Sequence, residues 1–527
     1  MPWLLGNYAG YDAEDYDPAR AWADSFEVGG ILISVGSPLD VATRLNALQR
    51  HSRLPLLVGA DLEWGAAMRL VGATAFPMDM GIGATAREED AYELGRITAL
   101  EARAVGIHLT FSPVVDVNNN PLNPIINTRS FGEDPAAVGR LAAAYIHGAE
   151  EHGLFTTVKH FPGHGDTETD THIDVPVVRS CWARLDTLEL IPFRAALAAG
   201  ATATMTAHVA LPCLTPGDTM PATLSAAIMT GMLRDSLHFT GLVVTDALSM
   251  AAIQKRYGPG EAAVRAFIAG SDLLLDPVDI RAVSDSMVAA VGRGRVSRDR
   301  LDASVRRVLQ LKRRAGLFEN RTVSLDSVPA VVGRREFQRI ADDVAARALT
   351  LVQRGPLDAL RAARGRVALV VYAEETNLVA GNMLARELRL AGDTVTFFRL
   401  YPASGGLSYD SARTVIARSP RALFASSVRF ISGRGVISMP DSLAGLVLAT
   451  DRQKPTVVAS LGSPYLLAQL PGYAGTYLIA WSDAPSTERA VARALAAMAP
   501  ITGHLPITLS PQYPRGAGIV LEGVRSP

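Results

Sequence analysis

Residues 159–172 read KHFPGHGDTETDTH and hold three of the chain's ten histidines together with Asp166, Glu168 and Asp170. Side chains of these types at this density suit two kinds of chemistry. In the first, His160, His164 and Asp166 wrap one metal ion, with Asp170 or His172 completing the shell. The stiff turn FPGHG and the lack of an HxH or ExxH partner elsewhere weigh against it. In the second, Asp170 and His172 act as a pair. Residues i and i+2 of an extended loop face the same way, so the carboxylate can receive the Nδ1–H of the imidazole. That bond fixes the tautomer and leaves Nε2 to carry a proton near neutral pH. A proton carrier needs a partner at carbon, and Asp246 in VVTDALSM is a carboxylate able to attack an electrophilic centre. Structural roles compete with these. Asp246 suits the N-cap of a helix after a strand, His164 suits a turn holder, and Arg129 suits a loop ion pair.

The elements that must position these groups are written as apolar, β-branched runs at 2–5, 31–35, 54–61, 107–113, 155–161, 201–209, 241–247 and 271–277. They alternate with amphipathic stretches such as DVATRLNALQRHS and GEAAVRAFIAG, several of which end at glycine as helix C-caps do. Eight strands alternating with helices predict an α/β fold whose N-terminal domain is a TIM-like (β/α)8 barrel over residues 1–320. Active sites of such barrels lie at the C-terminal ends of the strands. Asp61, Glu63, Asp116, Lys159, His160, His208 and Asp246 close or follow these runs and are expected at one mouth. A lysine there is costly unless it meets a partner, which marks Lys159 as a binding residue.

Residues 321–338 are irregular and suit a linker. Beyond them, over 339–527, a helix IADDVAARALTLVQR precedes strands RVALVVYAEE, TVTFFRL, ALFASS, PTVVASLG and TYLIAWS. This series predicts a smaller, open-sheet α/β sandwich domain with helices on both faces. No GxGxxG follows its first strand, so dinucleotide binding has no support. A net charge of −1 with scattered Lys and Arg gives no reason to expect nucleic acid or an anionic membrane as partner. No run approaches the roughly 18 apolar residues of a membrane span. The opening MPWLLGNYAGYDAEDYD carries no basic leader region. A cytoplasmic location is expected if the chain is complete as given, and an extracytoplasmic one if an upstream segment has been trimmed. Cys181 and Cys213 show no metal-binding spacing; they could pair in an oxidising compartment, but buried free thiols are the expectation.

KHFPGHGDTETDTH and VVTDALSM together resemble the family 3 glycoside hydrolases, and within them the β-N-acetylglucosaminidases. GADLEWGAAMRL (59–70), FSPVVDVNNNPLNPIINTRSFGEDP (111–135), KPTVVASLGSPYLLAQLP and GHLPITL extend the resemblance over nearly the whole chain. It implies an exo-acting, retaining enzyme that releases terminal β-linked N-acetylglucosamine, with a small carbohydrate substrate, no metal and no cofactor. Asp246 matches the nucleophile, and His172 oriented by Asp170 matches the acid/base. Lys159, His160, Asp61 and Arg129 match residues that bind sugar hydroxyls, while His208 and Met250 match the lining near the anomeric centre. The segment DLEWGAA departs from the family's DQEGGRV, with Trp64 for a glycine and Ala66 for an arginine, although Asp61 and Arg69 still align. A phosphorylase and a β-glucosidase are the other activities this fold would allow. A metal-dependent hydrolase and a non-catalytic sugar-binding protein lie further off, since Asp170, His172 and Asp246 are all present. Nothing in the sequence fixes the oligomeric state.

Overall fold

A computed structural model describes residues 1–4, 13–215, 219–362 and 364–523. It divides into two compact units, residues 1–74, 91–123 and 138–337 in the first, and 75–90, 124–137 and 338–527 in the second. The segments 75–90 and 124–137, which the sequence pattern puts inside the barrel domain, therefore count with the second unit.

In the first unit seven parallel strands lie side by side in chain order: β1 (Trp3–Leu4), β2 (Gly30–Ile33), β3 (Leu57–Ala60), β4 (Leu109–Thr110), β5 (Phe155–Phe161), β6 (Ala203–Thr206) and β7 (Leu242–Val244). The expected eighth strand, 271–277, is reduced to a bridge between Val244 and Leu273. Its other side bonds to the first residue: the Met1 nitrogen donates to the Leu274 carbonyl at 2.7 Å, and Asp276 N donates to the Met1 carbonyl at 2.8 Å. One apolar cluster takes Met1, Leu32, Leu57, Leu109, Phe155, Ala203, Leu242 and Leu273 from successive strands. A flat sheet could not bring its two edges into one cluster, so this sheet curls as a TIM-like barrel does. Apart from β5, which fills its run, the strands are shorter than their apolar runs. At β3, Pro55 has no N–H to give the ladder and pairing begins only at Leu57. The intervening helices follow local rules. Ser37 Oγ accepts Asp40 N at the start of helix Pro38–His51, Pro38 takes the first turn, and Arg50 and His51 sit in the last.

The second unit is built on a mixed sheet of β8 (Thr350–Gln353), β9 (Arg366–Tyr372), β10 (Thr394–Leu400), β11 (Arg421–Ser426), β12 (Thr456–Ser460) and β13 (Thr476–Ile479), in the order β10-β9-β11-β12-β13-β8. Alternate residues of β9 serve two cores. Ala368, Val370 and Tyr372 enter one, and Val367, Leu369 and Val371 the other, so both faces are covered. The expected helix IADDVAARALTLVQR is corrected here. Its helix ends at Ala348, and TLVQ becomes β8, antiparallel to β13 with Leu351 opposite Leu478. Leu349 and Leu351 join one core and Val352 the other, a period of two that a helix cannot satisfy. The short helix Asp79–Thr85 also belongs to this unit. A Cβ on its Gly83 would lie 1.9 Å from the Phe131 carbonyl oxygen, so only glycine allows that approach.

The cysteine expectation fails. Cys181 and Cys213 are exposed and joined as a disulfide, with Cα atoms 5.2 Å apart. Sequence spacing hid this because the pairing depends on two loops meeting. Val178 N donates to the Ala210 carbonyl and Ala210 N to the Pro176 carbonyl, both at 2.9 Å. That two-bond clasp brings the segments ahead of the two cysteines together.

Candidate active site

The polar residues at the strand ends of the first unit meet in two ion-pair groups. Lys159, on β5, is 3% exposed and reaches Asp61 Oδ1 at 2.9 Å and Glu63 Oε1 at 2.7 Å. Asp61 Oδ2 takes Arg69 at 2.9 Å, and the Arg69 guanidinium also lies over the Trp3 ring at 5.3 Å. Burial pushes the Asp61 carboxyl up, but Lys159 and Arg69 outweigh it and hold it below its ordinary value. The buried Glu63, the part-buried Asp61 and two cations thus offset each other, which is what a lysine in this position requires.

Around this group the crowded stretch resolves into three separate devices, one per histidine. His160 Nδ1–H donates to Asp116 Oδ2 at 2.7 Å, and the same carboxylate accepts the backbone N–H of His160 and of His164. Asp116 is held below its ordinary value because His160, its hydrogen bond and His164 outweigh the effect of burial. His164 packs edge-on to His160 with ring centroids 5.9 Å apart, and its Nδ1 meets Thr167 Oγ1 at 2.9 Å. Its Nε2 is buried with no protein partner among the described residues. The turn around it is tight, since a Cβ on Gly165 would lie 1.7 Å from the Val117 carbonyl oxygen. His172 Nδ1 lies 2.8 Å from Asp170 Oδ1, and the same oxygen accepts His172 N, also at 2.8 Å. Asp170 is fully buried while the His172 side chain is 32% exposed. The pair forms as the i, i+2 spacing predicts, with a backbone N–H in addition to the imidazole.

Asp246 follows β7. Its Oδ1 accepts Ala247 N at 2.7 Å, and its own N–H donates to Thr206 Oγ1 at 3.3 Å. It is not the N-cap of the next helix, Ala251–Gln254, whose cap position is Met250. Burial pushes the Asp246 carboxyl up, while His208, His160, the Ala247 N–H and Lys159 pull it down and win. His208 is completely buried and shifted down, chiefly by that burial. Its Nε2–H donates to the Ala247 carbonyl at 3.0 Å, and Nδ1 accepts from Thr223 Oγ1 at 2.7 Å, which fits a neutral ring. Thr206 and Thr223 meet hydroxyl to hydroxyl at 2.8 Å. Both ring nitrogens of His208 are thus committed to protein, and it braces the Asp246 turn from behind. Thr206 and Thr223 escaped the sequence reading because threonine in such segments signals only β-propensity.

Of the other residues singled out, Met250 is buried behind the turn, its N–H on the Ala247 carbonyl. Arg129 belongs to the second unit, where its guanidinium lies over the Phe430 ring at 5.5 Å and bonds the Ile125 carbonyl. Glu168 is exposed and accepts from Asn120 at 3.3 Å.

Comparison with known proteins gives this geometry a context. Residues 11–311 match the sequence profile described as the glycosyl hydrolase family 3 N-terminal domain. The chain belongs to that family. A protein of Cellulomonas fimi named beta-N-acetylglucosaminidase/beta-glucosidase is 30% identical over 503 residues, 91% of this chain and 88% of its own. Among solved structures, a family 3 beta-N-acetylglucosaminidase from Paenibacillus sp. str. FPU-7 superposes with a TM-score of 0.87 at 34% identity, covering 96% of this chain and 97% of that one. Beta-glucoside phosphorylase BglX superposes with a TM-score of 0.83 at 26% identity, covering 93% and 91%. Among the described residues of this family 3 hydrolase no group of three or more His, Cys, Asp or Glu side chains is arranged to hold a metal ion. Among the same described residues no helix is long and apolar enough to cross a membrane.

Proposed function

We propose that the protein is an exo-acting, retaining β-N-acetylglucosaminidase that removes terminal β-linked N-acetylglucosamine from peptidoglycan-type or chitin-type fragments. The observation that carries this is the Asp170–His172 pair. Its Nδ1 is committed to a buried carboxylate, so the proton is exchanged at Nε2 on a partly exposed ring. In the first step the Asp246 carboxylate attacks the anomeric carbon and the glycosidic C–O bond breaks. His172, as imidazolium, gives its Nε2 proton to the leaving oxygen, and Asp170 balances its charge. In the second step neutral His172 takes a proton from water as that water attacks the same carbon, and Asp246 is released as carboxylate. Asp61, Lys159 and His160 bind the sugar hydroxyls in this reading, and His208 and Met250 back the anomeric centre. The named relatives from Cellulomonas fimi and Paenibacillus support the choice of sugar.

The test is turnover of aryl β-N-acetylglucosaminide and aryl β-glucoside by wild type, Asp246→Ala and His172→Ala. The N-acetyl substrate should be strongly preferred, and Asp246→Ala should be inactive. His172→Ala should still cleave substrates whose aryl group leaves without a proton. Near wild-type activity in Asp246→Ala would remove the nucleophile from this account. A second reading is favoured by the likeness to a beta-glucoside phosphorylase. A His–Asp pair repels a phosphate acceptor less than a lone glutamate would. Sugar 1-phosphate formed in phosphate buffer as fast as free sugar would favour phosphorolysis over hydrolysis.

A further inference from the structure

The loop that carries His172 is partly anchored and partly open. Val175, Pro176 and Val178 are buried, whereas Ile173, Val177, Cys181 and Trp182 are exposed. Contacts to two neighbouring segments help hold it. Thr171 and Ile173 offer their carbonyls to Ala252 N at 3.2 Å and to Lys255 Nζ at 2.6 Å, on the helical segment that follows Asp246. Val175 meets Ala210 and Ala252 in a three-residue apolar cluster. Residues 176 and 178 make the two-bond clasp to Ala210. A surface loop held by local contacts of this kind opens at a cost below that of global unfolding.

The disulfide closes this arrangement. Cys181 ends the loop that begins at Asp170, and Cys213 lies in the segment leaving β6 just after His208, whose ring braces the Asp246 turn. We infer that Cys181 and Cys213 are positioning residues for proton transfer. Their covalent link keeps the His172 loop seated against the β6 and Asp246 segments, and its reduction selectively disables the acid/base half of the reaction. The chemistry of the switch is simple: the S–S bond breaks and two thiols form as a dithiol gives up two electrons and two protons and closes to its own disulfide, or as a phosphine is oxidised to its oxide with water supplying the oxygen and both protons. Both cysteines are exposed, so such a reagent reaches them in the folded protein. The inference rests on the His172 role proposed above, and its test separates the two.

The measurement compares oxidised wild type, wild type reduced with a phosphine, the Cys181→Ser/Cys213→Ser double variant, and His172→Ala. Each is assayed on two N-acetylglucosaminides, one with an activated nitrophenyl leaving group and one with an unactivated phenyl group. Mislaying a general acid forfeits part of a contribution of roughly 10²–10⁴-fold. The reduced and double-Ser proteins should therefore lose about tenfold or more in kcat on the phenyl substrate. On the nitrophenyl substrate they should lose no more than about threefold, with KM little changed. Reoxidation of the reduced wild type should restore the phenyl activity, which a general unfolding would not allow. An equal loss on both substrates, or no loss, would overturn the strap while leaving His172 in its role if His172→Ala is itself leaving-group dependent. A His172→Ala variant that loses both substrates equally would overturn the acid/base reading and the strap with it. Two free thiols in the air-purified protein would also overturn it.

Discussion

At His164 the folded chain holds an imidazole that resists charging. Burial, and then the neighbouring His160, push its value down to about 4 from an ordinary 6.5, with Asp116 and Asp246 offsetting only part of the shift. Above about pH 6.5 folded and unfolded forms are both neutral there, and the residue makes stability no more pH-dependent. As the pH falls from about 6.5 to about 4 the unfolded chain binds a proton that the folded one refuses. Stability drops across that window by as much as about 3 kcal/mol. His164→Asn, which keeps a polar atom for Thr167, should flatten the fall of Tm between pH 6.5 and 4. Parallel Tm–pH curves for the two proteins would show that another group sets the acid limit. Legibility at this scale follows sequence distance. The Asp170–His172 bond was readable because two residues of one loop make it. The job of His208 was not, because its partners Thr223 and Ala247 arrive from other segments.

Between residues and the fold stand the strand ends, where short elements are tied by side chains rather than by ladders. β6 and β7 share only three paired positions, yet the turns after them must hold Asp246 still. The hydrogen-bonded line Thr206–Thr223–His208–Ala247 supplies the missing rigidity. Thr223→Val keeps the volume but leaves His208 Nδ1 buried without its donor, a cost of about 1–3 kcal/mol. The variant should also lower kcat more than it raises KM, since the ion pairs around Lys159, proposed above to bind the sugar, are untouched. An unchanged kcat beside a lowered denaturation midpoint would reduce the threonine to a structural part. Strand positions themselves were legible, because β-branched runs bounded by breakers have few other uses. Their lengths were not, and neither was β8, whose four residues continue a helical pattern until the core on either face decides otherwise.

The whole molecule divides along lines that a single cut in the sequence does not reproduce. Met80 and Ala84 sit in the same apolar core as Trp481, Leu505 and Ile507. Asp90 pairs with Arg347 at 2.6 Å, Glu133 accepts from Thr508 at 2.7 Å, and Arg515 reaches Asp134 at 2.6 Å. A fragment of residues 338–527 would lack every one of the earlier partners. It should fail to give a cooperative thermal transition or dispersed amide resonances, and adding a 75–137 peptide should improve both. A sharp transition in the fragment alone would mean those contacts are dispensable. The same interleaving bears on how the chain is made. Translation proceeds from the N-terminus at roughly 5–20 residues per second, so tens of seconds separate the emergence of Met80 from that of Trp481. Through most of that interval the helix Asp79–Thr85 has only the nearby segment 124–137 of its own unit to pack against, and the apolar surface that Trp481, Leu505 and Ile507 later cover is left open to a holding chaperone.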